Sequence, residues 1–398
     1  MATSLPVNVF DPAVFAAGIP HEAFRRLRDE APVAWQDEHP IGDWPAGPGY
    51  WAVTRYADVR HVLASPGDFS SWAGATQIRD PDAADLPFIR RMILNMDAPE
   101  HLRLRRLVTG AFSRRRLEQF KAAMTERARR ALDAVAPEGR CDLTADVTDD
   151  LPVANLAELL GMPASDRGLM LRWTNRVIGY QDPEHGEVAR DETGRPVNPR
   201  SPAALADMFA YADELAAHKR RHPADDVMSA LVHAEIDGEN LTGDELKMFF
   251  FLLVIAGTDT TRSALPGGVL ALAEHPDAYR RLRDDRGLLG PAIEEMLRWH
   301  PPVLSFRRTA TGTSTSRGPR SGPATRWSST TSRPTTTNAS FPIRSASTSP
   351  VRPTGTSRSA TARTSAWART SRAFRWRSSS RSSSSAFRRS RSTGPCSA

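Results

Sequence analysis

Over residues 1–308 apolar positions recur mostly at the three-to-four-residue interval of amphipathic helices, and strand-like alternation is confined to short stretches. This pattern predicts a short helix over 21–29, short strands at 50–53 and near Ser70, and one or two long helices over 101–135, where Arg, Leu and Ala dominate. Helices follow over 147–160 and 165–178, broken by Gly161 and Pro163, then over 203–221, 225–233 and 242–272. Pro276 opens a short helix and residues 290–299 form another. Pro301 and Pro302 end it, because a residue before proline is pushed out of the α region. Residues 181–202 are polar, with four prolines and two glycines, and read as a loop. A loop of about 20 residues inside a compact domain is usually functional or mobile. The fold class is therefore mainly α, a helical domain with small β-sheets, and no internal repeat is visible.

The pattern stops at Thr309. Residues 309–398 hold 24 Ser, 17 Thr and 16 Arg, and no Lys, Asp, Glu, His or Leu. Too few large apolar side chains remain to offset chain entropy, so this tail is predicted to be disordered. The chain divides into a domain over 1–308 and a low-complexity tail over 309–398. All 46 acidic residues and 37 of the 53 basic ones lie in the first part, which carries −9 although the whole chain is +7. The basic character belongs to the tail alone. Two cysteines, Cys141 and Cys396, exclude a disulfide framework and a Cys-rich zinc site. The N-terminus has no basic stretch followed by an apolar one, so no signal peptide is expected. The longest apolar run, 248–257, is ten residues; it is too short to span a bilayer and fits a buried core helix. A reducing, cytoplasmic, soluble setting is expected, with no membrane span.

Three segments carry candidate chemistry. The run from Phe249 to Thr261 is too apolar for a surface helix, yet it contains Gly257, Asp259, Thr260 and Thr261. At 100° per residue Leu252, Ala256, Asp259, Thr260 and Ser263 share one face. The small Ala256 and Gly257 let a bulky group approach the backbone, and an acid beside a hydroxyl suits proton delivery. The competing reading is a core helix whose hydroxyls bond back to preceding carbonyls. Further on, Glu295 and Arg298 stand at i, i+3 and can pair, either buried or as a solvated surface pair. Earlier, His101 and Arg105 stand at i, i+4 near a helix start after Asp97 and Pro99. They suit an anionic group, or form an ordinary basic helix face.

The order and spacing of all three segments, Asp97-x-Pro-x-His101-x-x-x-Arg105, then Ala256-Gly-x-Asp-Thr-Thr261, then Glu295-x-x-Arg298, resemble the cytochrome P450 superfamily of haem-thiolate monooxygenases. The resemblance runs over about residues 10–310 and includes Tyr50-Trp-Ala-Val-Thr-Arg55, Phe69-Ser-Ser-Trp72 and Phe306-Arg-Arg-Thr-Ala310. Residues 92–97, 173–179 and 182–184 look closest to the actinobacterial branch, which includes hydroxylases of sterol side chains and methyl-branched lipids. The resemblance implies the cytochrome P450 fold for 1–308, haem b as cofactor, and insertion of one oxygen atom into an unactivated C–H bond of an apolar small molecule. It implies a ferredoxin-type electron donor, no nucleic-acid partner and a monomer. Asp259 and Thr260 would be the acid–alcohol proton relay, with Ala256 and Gly257 over the cofactor face. His101, Arg105 and Arg308 would bind the haem propionates, and Glu295 with Arg298 would be the structural ion pair. Phe249, Leu252 and Ser263 would line the substrate pocket, and the loop over 181–202 would belong to its lid.

One departure is large. The family requires a cysteine near the C-terminus, in a Phe-x-x-Gly-x-x-x-Cys-x-Gly type loop, as axial thiolate. Neither Cys141, in a Gly-Arg-Cys-Asp-Leu context, nor Cys396, third from the end, lies in such a loop. The tail decodes differently when the third base of each codon is read with the first two of the next. Residues 323–329 can then read Gly-Asp-Lys-Val-Val-Val, 339–348 Val-Phe-Pro-Asp-Pro-Glu-Arg-Phe-Asp, and 363–373 His-Phe-Cys-Leu-Gly-Ala-His-Leu-Ala-Arg. These three segments fit the family in order and in one frame. The missing cysteine codon straddles Ser365 and Ala366, and the shift falls between about Ala310 and Pro323. On this reading the tail is out-of-frame translation, and the chain as written lacks its iron ligand. Two other readings stand beside it. One is a polyanion- or membrane-surface-binding protein with a basic disordered tail. The other is a haem-free domain that binds a lipid.

Overall fold

The computed structural model of the protein describes residues 8–9, 11–16, 19–40, 45–179, 197–312, 326–330, 374–377 and 386–389. The first part of the chain gives α1 (Pro12–Ala16), α2 (His21–Glu30), β1 (Val33–Gln36), β2 (Tyr50–Val53), α3 (Tyr56–Ala64), β3 (Phe69–Ser70) and α4 (Leu86–Ile89). Then come α5 (Glu100–Thr109), α6 (Arg114–Val135), α7 (Asp150–Leu160) and α8 (Arg167–Ile178). After the expected loop, of which 181–196 lie outside the described residues, follow α9 (Ala206–Arg221), α10 (Val227–Val232), β4 (Glu235–Ile236) and β5 (Glu239–Asn240). The order continues with α11 (Gly243–Glu274), α12 (Pro276–Asp284), α13 (Leu289–Trp299) and β6 (Ser305–Ala310).

The periodicity located most of these elements, and the differences have local causes. The stretch 101–135 is two helices: a tight turn over Gly110–Phe112 breaks it, and Ser113 caps α6 by accepting from the Arg116 amide at 3.4 Å. The helix expected from 147 begins instead as a π-helical turn, Leu143–Thr148, with Asp142 accepting from the amides of Thr144 and Ala145. Gly161 ends α7 in the left-handed region at φ 71°, a conformation that favours glycine.

Helix α11 is the axis of the fold. Thr242 and Glu245 form a reciprocal capping box at its start, at 3.2 and 2.9 Å, and Asp244 adds negative charge to the first turn. It is the only helix among the described residues long and apolar enough to cross a membrane, and it packs against α7, α8, α9 and α13 as a core helix does. The main core joins Leu104 and Val108 of α5, Val153 and Leu160 of α7, and Trp173 of α8 to Phe250 and Val254 of α11. Pro266 sits inside α11 and is buried without ending it.

A five-stranded sheet lies outside this core in the order β1-β2-β7-β6-β3, where β7 is Arg326–Thr330. It pairs antiparallel except for the parallel β2–β7 step. Two further strands, β8 (Phe374–Arg377) and β9 (Ala386–Arg389), pair antiparallel. Of the tail from 313 onward only these three short segments are described, and its remaining residues lie outside the described residues. The backbones of β2 and β6 present N–H and C=O groups that a strand of any composition can satisfy.

A buried pair locks α9 to α10. Lys219 Nζ lies 2.5 Å from Asp226 Oδ2, and Asp226 also accepts the Ser229 amide at 2.7 Å. A Cβ at Gly161 would fall 2.2 Å from the same carboxylate. Asp226→Ala is expected to cost about 3–5 kcal/mol, because it strands a buried ammonium, and the double change Lys219→Met/Asp226→Leu is expected to cost less. Urea unfolding of the three proteins checks the order.

Candidate active site

The core side of α11 is sealed, with Phe250, Val254 and Thr258 wholly buried. One strip is not. Ala256 is exposed within this apolar stretch, and Leu252, Asp259, Thr260 and Ser263 are half-buried beside it. The face read from helical spacing is thus the open one. Thr260 Oγ1 donates to the Ala256 carbonyl at 2.6 Å. The back-bonding reading and the open-face reading therefore both hold: the bond orients the hydroxyl and leaves its oxygen able to accept on the open strip. Two residues on, Arg262 ties the helix to Asp149 at 2.9 and 3.1 Å, at the approach to α7.

Two residues of the expected set are placed differently. A Cβ at Gly257 would lie 2.8 Å from Leu156 Cδ2, so the close approach this glycine permits is made by α7. Phe249 is 5% exposed within the main core, so it packs rather than facing the open strip, where Leu252 and Ser263 lie.

Three expected cations lie on other elements. His101 is half-buried and Arg105 exposed on α5, and Arg308 is half-buried on β6. Among the described residues none of the three has an ion-pair partner. Arg308 Nη1 donates to the Arg307 carbonyl at 2.8 Å, and burial lowers its pKa while Asp97 opposes the shift. Asp97 is itself occupied, accepting from Ser70 Oγ and from the Ser71 amide at 2.8 Å. A partly desolvated guanidinium without a carboxylate in contact suits an anionic ligand. Arg103, which the sequence reading passed over, fixes α5: it pairs with Glu245 of the α11 capping box, with Glu100 at 3.2 Å and with Glu239 at 3.8 Å. The Glu245 hydrogen bond is the main cause of its raised pKa. A second charge string, Arg91–Asp244 and Lys247–Asp213, joins the region after α4 and helix α9 to the same end of α11.

On α13, Glu295 and Arg298 form a bidentate pair at 2.6 and 2.7 Å, each residue 5% exposed. The surface-pair reading is excluded. The helix reaches this depth because α11 offers two glycines: a Cβ at Gly268 would lie 2.9 Å from Met296 Sδ, and one at Gly267 2.7 Å from His300 Cβ. The Gly267-Gly268 doublet was the available signal, and it is also absent from the expected set. An aromatic chain not foreseen either, Phe88–Phe209–Phe251 at 5.8 and 6.4 Å between ring centres, connects α4, α9 and α11. Among the described residues no group of three His, Cys, Asp or Glu could hold a metal ion. Cys141 is free and half-buried, and burial with the nearby Asp146 and Asp142 raises its thiol pKa.

Comparison with known proteins agrees with this architecture. The Cytochrome P450 family model matches residues 199–318. Steroid C26-monooxygenase of Mycobacterium tuberculosis is 35% identical over 308 residues, covering 75% of this chain and 67% of that protein. Methyl-branched lipid omega-hydroxylase of the same species is 36% identical over 293 residues, covering 73% and 66%. The chain thus spans about two thirds of the length of these curated relatives. A Mycobacterium marinum cytochrome P450 solved in complex with pseudoionone superimposes with a TM-score of 0.69 at 31% identity, over 83% of this chain and 80% of that one. With the open strip on α11, the buried Glu295–Arg298 pair and these relatives together, the chain belongs to the cytochrome P450 family.

Proposed function

We propose that the gene for this protein encodes a monooxygenase that hydroxylates an unactivated C–H bond in a sterol side chain or a methyl-branched lipid. Family membership provides the coarser statement: an oxidoreductase with haem as cofactor, an apolar substrate and a redox partner. The finer one draws on the activities that the relatives' names state. The observation that carries it is the open strip of α11, where an acid and an oriented hydroxyl lie side by side on an apolar helix whose core side is sealed. The electron donor is of ferredoxin type, and the enzyme is a cytoplasmic monomer.

Haem supplies dioxygen activation when bound, and this chain's residues have separate tasks. Asp259 holds a proton at its carboxyl, and Thr260 Oγ1, oriented by its bond to the Ala256 carbonyl, accepts a hydrogen bond on the open strip. Ala256 leaves room above the cofactor, and Leu252 and Ser263 face the substrate. His101, Arg105 and Arg308 neutralise carboxylates at the cofactor edge. The residues present fit only this side of the group. Its chemistry needs an axial thiolate, and Cys141, whose raised pKa disfavours the thiolate, lies ahead of α7 and well before α11, in no Phe-x-x-Gly-x-x-x-Cys-x-Gly type loop. Cys396 lies outside the described residues. The 398-residue chain therefore does not complete the seat and is expected to be inactive, whereas the shifted frame after about Ala310 restores a cysteine at Ser365/Ala366.

Two measurements test this reading. The chain as written, purified with haem added, is expected to show no Soret band at the thiolate position when reduced under carbon monoxide, and the frame-restored chain is expected to show it. A thiolate band in the chain as written overturns the assignment of inactivity. In the frame-restored enzyme Asp259→Asn is expected to lower product formation by about 10²-fold or more, with substrate-induced spectral shifts for sterols and branched lipids unchanged. Equal turnover in the variant removes Asp259 from the relay.

A further inference from the structure

The chain has ten histidines, and only His218 and His222 stand four residues apart. His218 lies in the last turn of α9 and His222 caps that helix, its amide donating to the His218 carbonyl at 2.8 Å. This spacing is about one helical turn, so both side chains leave from the same side. Their ring centres are 4.9 Å apart with the planes inclined at 41°, and both residues are exposed. Two other histidines near helix ends are engaged by backbone: Nδ1 of His233 lies 2.8 Å from the Ser229 carbonyl, and Nδ1 of His275 lies 2.8 Å from the Ala271 carbonyl. Among the described residues neither ring of the 218/222 pair is in a hydrogen bond or an ion pair.

Imidazole nitrogens suit zinc, copper and nickel. With metal–nitrogen bonds of about 2.0–2.1 Å and about 1.1 Å from nitrogen to ring centre, two imidazoles on one ion have centres about 4.5 Å apart at a right angle and about 5.2 Å apart at the tetrahedral angle. The observed 4.9 Å lies between the two. The local field also suits a cation. The C-terminal end of a helix carries roughly −0.5 of an elementary charge, and the exposed Glu214 stands one turn before His218. The neighbouring cations are diverted. Lys219 is buried against Asp226, and Arg221 Nε donates to the Ala217 carbonyl at 3.2 Å. Arg220 stands about 200° round the helix from His218, on the opposite side. Among the described residues no third His, Cys, Asp or Glu completes a larger ligand group, so the coordination on offer is two nitrogens and water.

We propose that His218 and His222 form a two-nitrogen chelate at the end of α9 for a divalent transition ion of the zinc, copper and nickel class, with water in its remaining positions. The ion bridges the last helical turn and its cap, on either side of Lys219, whose buried bond to Asp226 locks α9 to α10. It therefore stiffens a corner that the buried pair already holds. Magnesium, which takes oxygen ligands and keeps its waters, is not accepted. The site depends neither on the coding frame of the tail nor on the proposed reaction.

Equilibrium dialysis of the untagged full chain against zinc, copper and magnesium salts tests the site. Zinc and copper are expected to bind and magnesium is not. A chelate is lost when either arm is removed, so His218→Ala and His222→Ala are each expected to bind zinc at least about tenfold more weakly. His233→Ala, whose ring is held by the Ser229 carbonyl, is expected to bind as the unaltered chain does. Zinc is also expected to raise the thermal midpoint of the unaltered chain, reversibly with a chelator, and to leave that of the two pair variants unchanged. Both residues are exposed, so the variants are expected to keep the helical content of the unaltered chain. Zinc binding that survives either alanine, or that is weakened by only one of them, overturns the chelate. A midpoint rise that persists in both variants does the same.

Discussion

A bidentate ion pair at 5% exposure makes strict demands on everything around it. Desolvating Glu295 and Arg298 is tolerated only where geometry is good and every remaining donor is satisfied. The first condition fixes α13 against α11, and that approach needs the glycines at 267 and 268. It therefore also fixes where the chain emerges toward β6 and Arg308. The second condition is unmet at Arg298 Nη1. Among the described residues no acceptor meets that nitrogen.

The start of α11 is held by its own capping box, by Arg103 from α5, by Arg91 from the region after α4 and by Lys247 to α9. These elements surround the strip that carries Ala256, Asp259 and Thr260. An open polar strip on a helix packed along its core side is positioned from its ends and flanks. The charge strings do this at one end, and the Arg262–Asp149 tie does it two residues beyond the hydroxyl.

Much of this was legible in the sequence. Helical spacing placed Leu252, Ala256, Asp259, Thr260 and Ser263 on one face, and that is the open face. The i, i+3 spacing paired Glu295 with Arg298, but spacing cannot report burial, and the surface reading fell only when α13 was seen against the Gly267-Gly268 doublet. Gly257 and Phe249 were misplaced for the converse reason: both lie within the right stretch, but the neighbour each meets, Leu156 for one and the main core for the other, depends on how α7 crosses α11. Arg103 escaped notice because its partners, Glu239 and Glu245, are about 140 residues away in sequence. The strand at 326–330 was legible only in the shifted reading of 323–329, because a backbone ladder needs little from composition.

The central claim is that the coding frame changes between the codons of Ala310 and Pro323 and that the in-frame product carries the axial cysteine. Resequencing the gene from the codon of Arg298 to the stop tests it most directly. The account predicts one or two bases gained or lost in that interval and an uninterrupted frame that reads Cys across Ser365 and Ala366. An unchanged sequence through that interval contradicts it, and the function of the chain would then have to be sought without oxygen chemistry.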